Sequence, residues 1–100
     1  MKTRKFSFRP SPYPVCVEVV LGAKPAENEL ARTEQLGNGA VAVKFAECEP
    51  AADVVVHEAV HVKQFVEKFV ETEFDDETEA YFTEYVCKSI LDRIERQGEK

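Results

Sequence analysis

The sequence predicts an α+β fold, a small antiparallel sheet of two or three strands packed on two long helices. Three observations predict it. Two short β-rich runs, residues 15–21 and 40–46, sit in the first half of the chain. After Pro50 the apolar spacing changes to a helical period and keeps it to about residue 96. A length of 100 residues fits one domain, residues 1–100, with little room for a second.

The elements follow in order. Residues 1–14 read as an irregular or weakly extended arm, because Pro10, Pro12 and Pro14 each remove a backbone donor and disfavour helix. Lys2, Arg4, Lys5 and Arg9 make it basic. Residues 15–21 form a strand ended by Gly22, and the consecutive Val19, Val20 and Leu21 suggest cover on both faces. Residues 25–33 suit a short helix, with Pro25 in its first turn and good helix formers after it. Gly37-Asn38-Gly39 is a turn signal. In the strand at 40–46, Val41, Val43 and Phe45 share one face and Ala42 and Lys44 the other. Residues 51–70 form an amphipathic helix, and Asp75-Asp76 caps a second that runs to about residue 96. Local pattern leaves the strand order open.

Composition limits the function. The formal net charge is −6, which argues against a nucleic-acid binder, since such proteins need a basic surface to release counterions. From Glu67 to Glu84 the acids crowd around a single Lys68, as a solvated connection or as a surface that favours basic substrates or a cation. Three cysteines, Cys16, Cys48 and Cys87, without a Cys-x-x-Cys pair, fit reduced thiols better than a disulfide framework. Cys16 and Cys87 read as buried filler, and Cys48 lies at a strand end. The basic start runs into Phe6-Ser7-Phe8-Arg9-Pro10, which is no signal-peptide core, and no apolar run approaches the length of a membrane span. A cytoplasmic protein is expected.

The chemistry lies in His57-Glu58-Ala59-Val60-His61, an HExxH sequence. Positions i and i+4 of a helix stack on one face, so two imidazoles at this spacing can share one tetrahedral metal. Glu58, rotated by about 100°, reaches the neighbourhood without ligating and is placed to take a proton from water. The chain has two histidines, and both are in the motif. On a helical wheel with His57 at the origin, His61 falls near 40°, Phe65 near 80° and Glu58 near 100°, at the border of the apolar arc. Lys63 and Glu67 point away from it. The plainer reading is a pair of ordinary helix histidines.

A two-histidine site needs a third protein ligand, and no third histidine exists. On the last helix Phe82, Val86, Ile90 and Ile94 form the apolar face, and Glu79 lies in the middle of it. An inward acid must be paired or bound to metal, which singles out Glu79. The competing reading makes Glu79 the partner of Asp76 in a capping-box arrangement. Cys87, about 12 Å further along the helix, cannot replace it.

His57-Glu58-x-x-His61 followed by Glu79-Ala80-Tyr81 on the next helix resembles the gluzincin metallopeptidases, especially the very small members encoded by phages and prophages. The resemblance implies a Zn²⁺ ion held by His57, His61 and Glu79, with Glu58 as the catalytic base. It also implies a peptide or protein substrate, and for a phage-encoded chain the cytoplasm of the host. The helix pair at 51–96 would carry the metal. For an oxyanion donor the available types are Tyr13, Tyr81, Tyr85 and Arg93, of which Tyr81 and Tyr85 face away from Glu79 on the wheel. A substrate strand could add along the edge of the strand at 40–46.

Three readings therefore stand. The first is a zinc-dependent peptidase. The second is a non-catalytic zinc domain in which the metal staples two helices and the surface binds a partner protein. The third is a metal-free interaction module in which HExxH is accidental. A homodimer that hides spare apolar surface is compatible with each, whereas nucleic acid and membrane are not expected partners.

Overall fold

Four strands, rather than two or three, form the sheet. The computed structural model describes residues 3–23 and 29–98. Among them the elements are β1 (Arg4–Phe8), β2 (Cys16–Leu21), β3 (Ala31–Gly37), β4 (Ala40–Phe45), α1 (Ala52–Val70) and α2 (Asp76–Gly98). The domain is α+β, as the sequence predicts. The sheet order is β1-β2-β4-β3. It is mixed rather than antiparallel, because β2 runs parallel to β4 while β1 and β3 pair antiparallel to their neighbours.

Of the two added strands, β1 lies in the weakly extended arm, which a count of three strands allows for, and β3 comes from a segment read otherwise. In the basic arm the three prolines follow β1 instead of interrupting it, so nothing prevents Arg4–Phe8 from pairing with Leu21–Val17. Phe6 is buried and Phe8 half-buried on one side, at the period of two that a strand requires. Of the helix expected at 25–33, residues 25–28 lie outside the described residues, and 31–33 belong to β3. There the helix propensity of Ala, Arg and Glu yields to ladder pairing with β4. The turn at Gly37-Asn38-Gly39 closes this β3–β4 hairpin. Asn38 and Gly39 have φ of 53° and 76°, as a two-residue type I′ loop requires, and a Cβ on Gly39 would meet Phe69 and the Pro14 carbonyl oxygen at 3.0 Å.

The parallel register aligns the core. Val17, Val19 and Leu21 stand beside Val41, Val43 and Phe45, and all six are fully buried. They face Val55, Ala59, Val62 and Val66 of α1 and Phe82, Val86 and Ile90 of α2 in one apolar cluster. The helices cover one face, and the other is covered in part, in line with the expectation for β2. Glu18 and Lys44 hold the other face half-exposed, and Val20 and Ala42 are buried there outside that cluster. On the helix side Arg93 of α2 caps the edge of the core, its guanidinium 4.8 Å from the centre of the Phe6 ring.

Capping joins the helices. Glu71 ends α1 in a left-handed conformation at φ 55°, with its N–H and that of Thr72 returning to the Lys68 and Glu67 carbonyl oxygens. Asp75 caps α2, its Oδ1 accepting from the Thr78 N–H at 2.8 Å, so the third helical position belongs to Thr78 and not to Glu79. The Glu79–Asp76 capping box is therefore not formed. Between the helices, Glu67 Oε2 accepts from the Phe74 N–H at 2.7 Å.

That last bond sets an acid dependence. The Phe74 N–H, and secondarily the Lys63 ammonium, hold the Glu67 carboxyl below its ordinary 4.5. A carboxyl lowered on folding contributes stability that is present above the unfolded value and lost as pH falls through the folded one. The stability difference between the parent and Glu67→Gln should therefore be largest at neutral pH and shrink below about 4.5. Denaturant midpoints measured from neutral to acid pH read it directly. A difference that stays constant would show that the carboxylate charge plays no part.

Candidate functional site

An open cleft of about 810 Å³ lies between β3 and α1, and His57, Glu58, His61, Gln64 and Thr33 are among the residues lining it. Helical spacing places the three motif residues there together. His57 and His61 are exposed on the α1 surface, whereas Glu58 is buried, with 5% of its surface exposed.

The two histidines face each other. Their Nε2 atoms lie 3.2 Å apart, with the rings nearly perpendicular at 79°. Two nitrogens on one tetrahedral zinc, each about 2.0–2.1 Å from it, stand about 3.3 Å apart. The pair thus fits two adjacent positions of such an ion. The His61 Nδ1–H donates to Gln64 Oε1 at 3.1 Å. A proton on Nδ1 leaves the Nε2 lone pair free, and the amide holds the ring in that orientation.

Glu58 is held from the sheet. The Thr33 hydroxyl donates to Glu58 Oε1 at 2.6 Å. Alternation along β3 puts Thr33, paired with Val43, on the face of the sheet that packs on α1. Arg32 and Glu34 take the other face, where Glu34 Oε2 meets Lys44 Nζ at 2.9 Å. Sequence reasoning missed Thr33 because it assigned these residues to a helix, in which position 33 has no relation to position 58. The Gly37-Asn38-Gly39 signal beside a run containing Thr33 was the trace of the hairpin that would have found it.

The third expected ligand is elsewhere. Glu79 is half exposed, at 49% for its side chain, and its Oε2 lies 3.5 Å from Lys63 Nζ. It lines a second, shallower cleft with Val56, Val60 and Thr83. Among the described residues no group of three or more His, Cys, Asp or Glu side chains is close enough to hold a metal ion. The wheel placed Glu79 on the arc of Phe82 and Val86, which are buried, but Glu79 itself is half exposed. It did not say what lies opposite each turn, and opposite the first turn of α2 stands Lys63. That lysine, expected to point to solvent, is 8% exposed and also meets Glu67 Oε1 at 3.0 Å.

Other expectations are corrected, apart from the outward placing of Tyr81 and Tyr85, which the structure shares. Tyr13 packs on Phe74 and Phe82, with ring centres 5.3 and 5.5 Å away. Tyr81 and Tyr85 are exposed, and Arg93 covers Phe6, so none of the four lines the cleft. Of the cations, Lys68 lines it, and Arg32 borders it from β3 with its guanidinium paired to Glu29 and Glu34. The strand at 40–46 has no open edge, because β4 lies between β2 and β3. Cys16 and Cys87 are half-buried rather than buried, as is Cys48, and burial pushes the Cys87 thiol up from its ordinary range. No helix among the described residues is long and apolar enough to cross a membrane.

No protein-family model matches the chain, and no curated protein or solved structure matches it either.

Proposed function

We propose that this domain is a minimal zinc-dependent metallopeptidase of the cytoplasm. His57 and His61 would hold the metal, Glu79 would have to leave Lys63 to join them as third ligand, and Glu58 would be the general base. The observation that carries the reading is the pair of Nε2 atoms 3.2 Å apart on the wall of an open cleft, with a buried carboxylate between them in sequence. Zinc bound there would supply a Lewis acid able to acidify water and polarise a carbonyl. Glu58 accepts the proton of the attacking water and passes it to the leaving amine. Thr33 keeps one Glu58 oxygen fixed, which leaves the other to work, and Gln64 keeps the His61 lone pair directed outward. With β4 internal, a substrate strand has the outer edge of β3 to join, beside the cleft.

The alternative is a zinc domain without catalysis. His57 and His61 both stand on α1, so a metal staples the two helices only when Glu79 of α2 also binds it. Metal content of freshly purified protein tests the shared part. The parent should carry about one zinc per chain, and His57→Ala and Glu79→Ala little. A parent that neither carries zinc nor takes it up would defeat both readings and leave a metal-free interaction module. Zinc bound without hydrolysis of any peptide would select the structural role.

A further inference from the structure

The apolar arc of α1 is wider than the core uses. Val55, Ala59, Val62 and Val66 enter the core, whereas Val56 and Val60 stand outside its apolar cluster, Val56 with 46% of its surface exposed. At a spacing of i to i+4 these two stack on one face of the helix. Ala80, Thr83 and Cys87 of α2 join them in lining the second cleft, a groove of about 400 Å³. We infer that this groove is the docking site of a basic amphipathic helix from a partner protein. Docking there needs no metal and goes beyond the zinc reading of the other cleft.

Two observations select that occupant. The groove runs between two helices, whose backbone N–H and C=O groups beyond the end turns are bonded along each helix. It offers side chains only, so a strand would find no backbone partner there, whereas a helix satisfies its own groups. Charge is the second observation. Among the described residues every charged side chain lining the groove is a carboxylate, namely Asp76, Glu79 and Glu84. The positive end of α2 offsets only about half a charge. Lys63 meets Glu79, but Glu67 shares that ammonium. The rim therefore stays negative and favours lysine or arginine flanking an apolar stripe. The same rim opposes an anionic membrane surface, and a second copy laid symmetrically on the groove would set its own acids against these. From Asp76 to Cys87 the groove follows α2 for about 16 Å at 1.5 Å per residue, which matches about three turns of a docked helix.

Fluorescence anisotropy tests this on the full chain with a chelator present. The probe is a labelled peptide of about four helical turns, with leucine at i, i+3, i+4 and i+7 and lysine elsewhere, and its twin carries glutamate in place of lysine. The lysine peptide should bind, more weakly as salt rises, and the glutamate twin should not. Val60→Gln, which removes an apolar contact from the floor, should weaken binding by about tenfold. Glu84→Gln, at an exposed position on which folding does not depend, should weaken it by about twofold to fivefold. Leu36→Gln, exposed on the edge strand β3, should change nothing. No binding, or equal binding of both peptides, would overturn the inference. So would binding that neither groove variant changes, because the peptide would then sit elsewhere. A parent that is dimeric in light scattering and monomeric as Val60→Gln would give the groove to a second copy and overturn it too.

Discussion

Glu58→Gln should keep about one zinc per chain and lower peptide hydrolysis by about 10²–10⁴-fold, the usual contribution of a positioned general base. The substitution is nearly isosteric, and the amide oxygen can still accept from the Thr33 hydroxyl that now bonds Oε1. It also removes a charge from a side chain that is 5% exposed, so the fold should not suffer. Loss of activity would then report chemistry rather than unfolding. Mass spectrometry of a mixed peptide digest, paired with elemental analysis of the same samples, reads both quantities. A Glu58→Gln variant that cleaves at the parental rate would remove Glu58 from the mechanism. One that loses its zinc would make Glu58 part of the metal site instead.

Phe45→Ala should be the most damaging change in the core. Phe45 is fully buried at the end of β4, beside Leu21 in the parallel register and Ala31 in the antiparallel one. Truncating such a ring costs about 3–5 kcal/mol in lost transfer energy and cavity. A domain of this size holds about 5–15 kcal/mol in all. The melting point should fall by roughly 12–40 °C, at about 4–8 °C per kcal/mol. Phe69→Ala is the control. Phe69 is 43% exposed and stacks on Phe65 at 6.0 Å, so its loss should cost far less. A Phe45→Ala protein that melts within a few degrees of the parent would mean that the core does not close where β2 and β4 meet.

The helical half of the molecule was legible in the sequence because its signals are local. Ala52–Val70 and Asp76–Gly98 follow from an apolar period and from Asp75 as a cap. The meeting of His57 and His61 needs only the rise and twist of one helix. The strand at Cys16–Leu21 was readable from its β-rich residues and the Gly22 after it, and the faces of Ala40–Phe45 from alternation, both properties of the segment itself.

What lay beyond the sequence depends on neighbours distant along the chain. The polar run Ala31–Gly37 is a strand because β4 offers it a ladder, and that pairing alone brings Thr33 to Glu58 across 25 residues of sequence. The parallel union of β2 with β4 converts two ordinary runs into the centre of the core and closes the β4 edge to any added strand. Lys63 and Glu79 are the clearest case. A wheel states the direction of each side chain from its own axis, but the packing of α1 against α2 decides what stands there. Here it sets an ammonium against the acid expected beside the histidines. The sequence by itself determined the helices and the histidine pair, through interactions a few residues long. The tertiary structure decided the sheet, the partner of Glu58 and the resting place of Glu79, through contacts that local periodicity does not encode.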